Sequence, residues 1–371
     1  MRLHAKSCRK FRKAICIVEP LFQSEVEQVE SSLMMLSYCN GGLGIRDPVA
    51  TCAIAFQSSI EGTKILSESI RSGTTLEISK HEAQMSTARN QARETQNEIE
   101  ETTFVACLHR MPKHKQRTLK RIKEGDCSTW LSMTPTQDNQ FLMSADEFRD
   151  SISLRYARAP VKMHGFCDGC SSPFDVNHAL NCKKGGLVVA RHNESRDLNI
   201  DLLKMTGLSQ LIREPILKES DSDGKGGLRL DWGVRGFWEF QREALFDIRI
   251  INADATSYCT SSIQSLFDDA RDEKRSKYGL VAEDRRACFT PILATCEAIF
   301  DHEAIVYMKR LATLLATKWS KHYSQIYGWL KARMQVCILR SVSLCIRGSR
   351  THWRGAGIED GAQIPTFTSM F

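Results

Sequence analysis

The sequence predicts a mixed α/β fold with mainly helical segments on either side of it. Two observations support this prediction. Charged residues make up 26% and apolar residues 42% of the 371-residue chain, a balance typical of globular proteins. From residue 191 onward, helical and strand-like patterns follow the order helix, three strands, helix, strand. The chain is long enough for two domains, and no apolar run approaches the roughly 18 residues that a membrane span requires.

The first 75 residues contain a basic cluster, a glycine-rich break and a predicted helix. The cluster Arg9–Lys13 has the composition of a nuclear address, and the alternative is a solvated tail. No apolar stretch of signal-peptide length precedes Cys16, which favours a reducing compartment over secretion. The glycines at Gly41–Gly44 lack the remaining residues of a phosphate loop, so they do not indicate nucleotide binding. Val49–Ser69 then has a helical pattern.

Residues 76–160 are predicted to form a helical, basic linker. Gln84–Glu101 consists of good helix formers with hardly any apolar face, which is typical of an exposed helix. His109–Lys123 contains seven Lys or Arg and no carboxylate. Ser144 followed by Glu147 forms a capping-box pattern, which predicts the start of another helix.

Residues 161–188 contain the strongest chemical pattern, a cluster of three cysteines and one histidine. Its members are Cys167, Cys170, His178 and Cys182. The first two cysteines fit a tight knuckle, while His178 and Cys182 lie one helical turn apart on the same face. Three thiolates and one imidazole suit a closed, tetrahedral zinc site with a structural role. The alternative is chance, because the chain has 14 cysteines, and His164 is a competing ligand.

Residues 189–303 contain the predicted α/β core. Its elements, in order, are a helix at Arg191–Met205, strands at Ile212–Glu219, Leu228–Arg235 and Glu243–Asn252, a helix at Ser262–Glu283 and a strand at Cys288–Thr295. The segment Asp221–Gly224 lacks the ligands of a calcium loop and is predicted to be a polar hairpin turn.

Two aspartates stand out on the second and third strands. If these strands pair across Gly233–Arg242, the carboxylates of Asp231 and Asp247 meet at one end of the sheet. Carboxylate oxygens suit Mg²⁺ or Mn²⁺, which can activate water and stabilise charge on a phosphodiester. Glu214 on the preceding strand or Glu194 on the first helix is a candidate third ligand. The alternative is that both aspartates simply pair with neighbouring arginines.

Residues 304–354 are predicted to form a basic helical hairpin, and residues 355–371 a tail. Between Ala304 and Ile358 the chain has ten Lys or Arg and no carboxylate. The two helices are expected at Met308–Thr317 and Tyr323–Ile346. Their basic residues are predicted to contact nucleic-acid phosphates. These residues are Lys309, Arg310, Lys318, Lys321, Lys331, Arg333, Arg340 and Arg347. The alternative is a hairpin that packs on the core with its polar face merely solvated.

Several strings, taken in order, resemble one protein family. They are CDGCSSPFDVNHALNCKKGG, RHNESRD, LRLDWGVRGFWEFQREALFDIRI, EKRSKY, KRLATLLATKW and CIRGSR. Together they resemble the C-terminal region of reverse-transcriptase polyproteins from non-long-terminal-repeat retrotransposons whose nuclease is restriction-like, of the PD-(D/E)xK type. The stretch GGLGIRDP at Gly41–Pro48 is similar to the segment after the thumb of such polymerases, so residues 1–75 are predicted to be a remnant of it.

The resemblance implies a zinc knuckle leading into a restriction-endonuclease-like core that nicks chromosomal DNA, so that the exposed 3′ end primes reverse transcription of the element's RNA. Asp231 matches the Asp of the PD pair and Asp247 the acidic residue of (D/E)xK, both as metal ligands. His192 matches the family string after the zinc ligands and is assigned to nucleic-acid binding. The expected partner is DNA, with element RNA as a second candidate and no membrane. The expected location is the nucleus, and the oligomeric state is left open.

The sequence departs from the family pattern at several positions. Leu230 replaces the proline, and Arg249 stands where lysine would. Arginine cannot deprotonate to act as a base, although it can orient water or stabilise the phosphorane. Lys274 or Lys277 on the following helix is expected to supply the ammonium instead. The chain also has no Tyr/Phe-x-Asp-Asp motif, so polymerase activity is not expected.

The sequence therefore predicts a metal-dependent DNA-nicking module. The alternatives are a nucleic-acid-binding remnant without catalysis and a purely structural connection module.

Overall fold

The computed structural model describes residues 28–136, 139–220 and 226–351. The basic cluster Arg9–Lys13, the turn Asp221–Gly224 and the tail 355–371 lie outside the described residues. The chain divides into two compact units, Met1–Lys123 and Glu124–Phe371. This boundary falls within the predicted linker of residues 76–160, so that segment contributes to both units. No helix of the described residues has the length and hydropathy that a membrane span requires.

The first unit is helical. Its helices are α1 (Gln28–Met34), α2 (Pro48–Ser72), α3 (Ile78–His109) and α4 (Lys113–Glu124). Asp47 Oδ1 caps α2 by accepting a hydrogen bond from Val49 N at 2.9 Å, and Pro48 occupies the first turn. Helices α2 and α3 pack against each other as a hairpin. The helices predicted at 49–69 and 84–101 are therefore confirmed, and both extend further than the sequence pattern indicated.

The second unit is built around a mixed four-stranded sheet. Its strands, in spatial order, are β1 (Ile212–Arg213), β4 (Trp232–Arg235), β5 (Glu243–Ile251) and β6 (Cys288–Thr295). The first three are antiparallel neighbours, whereas β5 and β6 are parallel and are connected through α8 (Ile263–Asp284). Strands β2 (Ile216–Lys218) and β3 (Leu228–Arg229) form a separate antiparallel pair. The predicted mixed α/β class is confirmed.

Helices cover both faces of the sheet. One face packs against α7 (Leu187–Thr206) and α9 (His302–Trp319), and α10 (Tyr323–Arg347) packs against these two helices. Together they form the main hydrophobic core, which includes Trp232 and Phe246. The other face packs against α8 through a smaller core that includes Leu245 and Tyr278. The short helices α5 (Ala145–Arg155) and α6 (Val176–Asn181) pack against α10. Ser144 and Glu147 form the predicted capping box at the start of α5.

The first two predicted strands of the core are each broken in the middle. Glu214 adopts a φ of 51°, in the left-handed region, and Pro215 follows it, so the chain bends between β1 and β2. The partner segment bends at Leu230 and Asp231, where Leu230 N donates to Pro215 O and Glu214 N donates to Asp231 O. Asp231 therefore lies at a bend immediately before β4.

Candidate metal cluster and carboxylate site

The structure brings the predicted zinc ligands together. One ligand atom from each of the four residues lies within 4.8 Å of the others. Cys182 Sγ is 3.9 Å from Cys167 Sγ and 4.0 Å from Cys170 Sγ. Cys170 Sγ is 3.3 Å from His178 Nε2. Tetrahedral zinc, with Zn–S bonds of about 2.3 Å, places two sulfur atoms roughly 3.8 Å apart. The cluster therefore fits a metal ion such as zinc.

Local backbone geometry builds this cluster. A tight turn forms because Cys167 N donates to Ser172 O and Ser171 N donates to Cys167 O, both at 2.8 Å. Ser171 adopts a φ of 61° in this turn. Helix α6 then begins where Asp175 Oδ1 accepts a hydrogen bond from His178 N at 2.6 Å. The turn presents two cysteines, and the capped helix presents the histidine.

Hydrogen bonding and burial change the acidity of the thiols in opposite directions. Hydrogen bonds with Ser172 lower the pKa of Cys170 to about 6, so this ligand is a thiolate near neutral pH. Burial raises the pKa of Cys167, so metal binding there must displace a proton. His164, the predicted competitor, is exposed and is not a member of the cluster.

Arg350 fixes this cluster to the end of α10. Its side chain is buried, and its Nη2 atom donates to Ala179 O at 3.1 Å and to Cys345 O at 2.8 Å. Its guanidinium group lies 4.7 Å from the centre of the Phe174 ring. A Cβ atom on Gly185 would lie 2.5 Å from Arg350 Cα, so only glycine fits there. Sequence reasoning missed this contact, because Arg350 lies far along the chain from the cysteines.

The two candidate catalytic aspartates lie next to the last residue pair that joins β4 and β5, Asp231 just before β4 and Asp247 in the middle of β5. Strands β4 and β5 pair in a register that places Trp232 opposite Phe246. Asp231 precedes Trp232, Asp247 follows Phe246, and Asp231 N donates to Phe246 O at 3.1 Å. Burial raises the pKa of Asp247, and the negative charge of Asp231 raises it further.

Each aspartate has partners from other elements. Asp231 Oδ1 lies 2.8 Å from His192 Nε2 on α7, and Asp231 Oδ2 accepts a hydrogen bond from Ile248 N at 2.6 Å. Asp247 Oδ2 lies 2.6 Å from Lys274 Nζ on α8. His192, which the resemblance assigned to nucleic-acid binding, is therefore placed beside a candidate metal ligand. Three elements converge on the two carboxylates.

Burial determines the acidity of Asp247. It is 5% exposed, and its pKa is raised chiefly because burial disfavours the charged form. The ammonium of Lys274 acts in the opposite direction and lowers the pKa. A second cation nearby would favour the ionised form further.

Lys274, rather than Arg249, supplies the cation beside Asp247. The guanidinium group of Arg249 forms an ion pair with Glu273, and this contact lowers the pKa of Glu273. Lys277 Nζ lies 4.8 Å from the centre of the Tyr278 ring. Of the three predicted catalytic cations, only Lys274 forms an ion pair with Asp247.

The structure places the two candidate third carboxylates among other groups, and metal binding by Glu214 or Glu194 stays a prediction. Both oxygens of Glu214 are bound by arginine side chains, one by Arg196 and the other by Arg229 at 3.2 Å. Glu194 lines a cavity of about 360 Å³ between α7 and α10, together with Arg340. Within the described residues, the Cys/His cluster is the one group of three or more His, Cys, Asp or Glu ligand atoms lying within 4.8 Å of each other.

Three basic residues of α10 have partners inside the protein, and their predicted role in nucleic-acid binding stays a prediction. Lys331 and Arg333 are only 6% and 5% exposed. Lys331 forms an ion pair with Asp126, and Arg333 donates to a backbone carbonyl. Arg347 Nη2 lies 2.5 Å from Asp150 Oδ1. The physical reason is that α10 packs against several helices at once, so its polar side chains must find partners inside the protein.

Of the other five residues predicted to contact phosphates, three have partners inside the protein and two are exposed. Arg310 and Lys318 donate to backbone carbonyls of the core, both at 2.8 Å, and Arg340 lies 3.3 Å from a carboxylate oxygen. Lys309 and Lys321 are exposed. Any nucleic-acid contact from this region therefore depends on fewer charges than the sequence predicted.

The sequence matches no protein-family model and no curated protein sequence. A functional interpretation of the chain therefore depends on the geometry of these two clusters.

Proposed function

We propose that the second unit is a metal-dependent endonuclease that nicks DNA. The observation that carries this proposal is that Asp231, Asp247 and Lys274 come together where the pairing of β4 with β5 ends. Two carboxylates can hold a divalent metal ion, and an ammonium can stabilise negative charge on a phosphodiester. The order helix, strands, helix, strand supports a restriction-endonuclease-like core, as the sequence resemblance implied.

Asp231 and Asp247 would hold Mg²⁺ or Mn²⁺, because both present hard carboxylate oxygens and leave coordination positions for water and a phosphate. Such an ion would supply a more acidic bound water and stabilise the extra negative charge on the phosphodiester. Ile248 N and His192 fix the orientation of the Asp231 carboxylate. Lys274 balances the charge of Asp247 and brings an ammonium to the position where a substrate phosphate would bind.

The Cys/His cluster has a different proposed role, that of a structural zinc knuckle. Four protein ligands complete a tetrahedral shell, so no position is left for substrate. The cluster is also fixed to α10 by the buried side chain of Arg350. Its function on this proposal is to order the segment between α5 and α7 and to hold it against the end of α10.

The test is nicking of supercoiled plasmid DNA by the full chain with Mg²⁺ or Mn²⁺. Asp231→Asn should reduce the nicking rate by at least about 100-fold, because it removes a metal ligand. The control is Asp272→Asn, which removes an exposed carboxylate from the same helix as Lys274. Nicking that survives Asp231→Asn would exclude this site. DNA binding by the wild-type chain without nicking would favour the non-catalytic alternative.

A further inference from the structure

The helical hairpin of the first unit contains a cleft that the nuclease proposal does not use. It lies between α2 and α3 and has a volume of about 690 Å³. Three arginines line it, Arg46 from the segment before α2 and Arg89 and Arg93 from α3, and no carboxylate does. The cleft is therefore strongly basic even though the chain as a whole carries a net charge of only +7.

The remaining polar lining consists of hydroxyl and amide groups. These belong to Thr51, Ser58, Ser59, Thr63, Gln96 and Asn97. Thr51, Ser58 and Thr63 donate their hydroxyl protons to backbone carbonyls. Ser59, Asn97 and the second N–H of Gln96 can donate hydrogen bonds to an anionic oxygen. The cleft has no aromatic lining, so it offers no surface on which a base could stack. The lining of the cleft therefore favours a ligand with negatively charged oxygen atoms over one with an aromatic ring.

The arginines of the cleft are available to a ligand. Arg46, Arg89 and Arg93 are exposed, and within the described residues none of them forms an ion pair. By contrast, Lys115 and Lys123 of the same unit are paired with glutamates. Arg89 and Arg93 lie one helical turn apart, so their side chains point from the same face of α3. Two guanidinium groups in this arrangement can contact neighbouring phosphates.

We propose that this cleft binds the phosphate backbone of a single-stranded nucleic acid. Arginine binds phosphate through paired hydrogen bonds, and the absence of lining carboxylates removes the repulsion that would oppose a polyanion. The volume is in the range of ligand pockets, about 300–1,000 Å³, and is too small to enclose a duplex. Because the contacts are to the backbone, binding is independent of base sequence. This proposal does not depend on the nuclease site.

The test is fluorescence anisotropy of the full chain with labelled oligo-dT and oligo-U, in buffer without Mg²⁺ or Mn²⁺, over a range of salt concentrations. The affinity K falls as salt rises, and each lost phosphate contact reduces the magnitude of the slope of log K against log salt by about 0.7 for single strands. The double variant Arg89→Ala with Arg93→Ala should therefore reduce this magnitude by about 1.4. Affinity at low salt should fall by at least about tenfold with both oligonucleotides.

A matched control removes the same charge elsewhere in the unit. Lys64→Ala with Arg71→Ala deletes two exposed cations of α2 that do not line the cleft. Arg89→Lys with Arg93→Lys should keep the wild-type slope. If the double alanine variant has lost helix content by circular dichroism, Arg46→Ala in the preceding segment should alone reduce the magnitude of the slope by about 0.7. A wild-type chain that binds neither oligonucleotide, or a cleft variant that changes the slope no more than the control, would overturn the proposal.

Discussion

The Cys/His cluster and the carboxylate site differ in how completely their ligand sets are formed. In the cluster, four soft ligands come from one short segment and already have tetrahedral spacing. In the carboxylate site, Asp231 and Asp247 come from two strands, and His192 and Lys274 from two helices. The first site is complete by itself, whereas the second is held together by protein cations and hydrogen bonds.

This difference separates a stabilising role from a chemical one. A closed site contributes to folding because its ligands converge only in the folded chain. A site with buried carboxylates opposes folding, because burial disfavours their charged form, and such an arrangement is typical of functional sites. The two regions should therefore respond to substitution with opposite signs in stability.

The largest expected effect is loss of the metal cluster. Cys182→Ser removes a buried ligand, so we expect the loss of about one zinc per chain and a decrease in Tm of roughly 10 °C. Metal analysis and calorimetry measure these changes. Cys259→Ser, at an exposed cysteine of the same unit, is the control and should change neither. Retention of zinc by Cys182→Ser would show that the cluster is not the metal site.

A smaller effect of the opposite sign is expected at the carboxylate site. Burial raises the pKa of Asp247, so the stability contributed by its protonated form is greatest below its ordinary pKa and is lost as pH rises through the raised value. Asp247→Asn cannot ionise and still offers an oxygen to Lys274. In buffer without Mg²⁺ or Mn²⁺, this variant should exceed the wild type by about 1 kcal/mol at pH 7, roughly 2–4 °C in Tm.

The pH dependence of the stability difference between Asp247→Asn and the wild type serves as the control. The advantage of Asp247→Asn should shrink as pH falls toward 4, because the wild-type carboxyl then becomes protonated as well. Thermal melts at several pH values measure this trend. A variant less stable than the wild type at pH 7 would show that the pair with Lys274 outweighs the cost of burial, and would remove the contrast between the two regions.

The sequence predicted the metal cluster better than the carboxylate site because the cluster is local. Spacing alone identified its four ligands, since a turn and one helical turn determine their positions. Asp231 and His192 are 39 positions apart in sequence, and nothing in either segment indicates their contact. Lys274 and Lys277 lie three positions apart on one helix, so only the packing of α8 could distinguish them.

The sequence pattern also could not show which elements are buried on more than one side. Strand β6 was predicted with its observed bounds. Helix α10 was predicted almost to the residue, yet Lys331 and Arg333, which were predicted to contact nucleic-acid phosphates, are buried. Helical periodicity cannot show that neighbouring helices cover both faces of a helix. By contrast, Pro215 was a local indication of the break in the first predicted strand, and the strand prediction did not use it.

The smallest expected effect concerns the contact between the two regions. Asn252, which follows β5, donates from Nδ2 to Asn177 Oδ1 at 2.9 Å, and Asn177 is on α6 with the zinc ligand His178. Asn252→Ala removes one hydrogen bond, so we expect a loss of about 1 kcal/mol measured by denaturant unfolding. Zinc content should not change, because the four ligands and the turn that holds them remain intact.

A double-mutant cycle decides whether the two regions act independently. If they do, the effects of Asn252→Ala and Asp247→Asn on the free energy of unfolding should add within about 0.5 kcal/mol. Zinc release to a chelator should also be equally fast in the wild type and in both single variants. A larger interaction energy, together with faster zinc release from Asp247→Asn, would mean that the carboxylate site influences the metal cluster through Asn252 and Asn177. The Cys/His cluster would then be energetically coupled to the carboxylate site rather than an independent structural element.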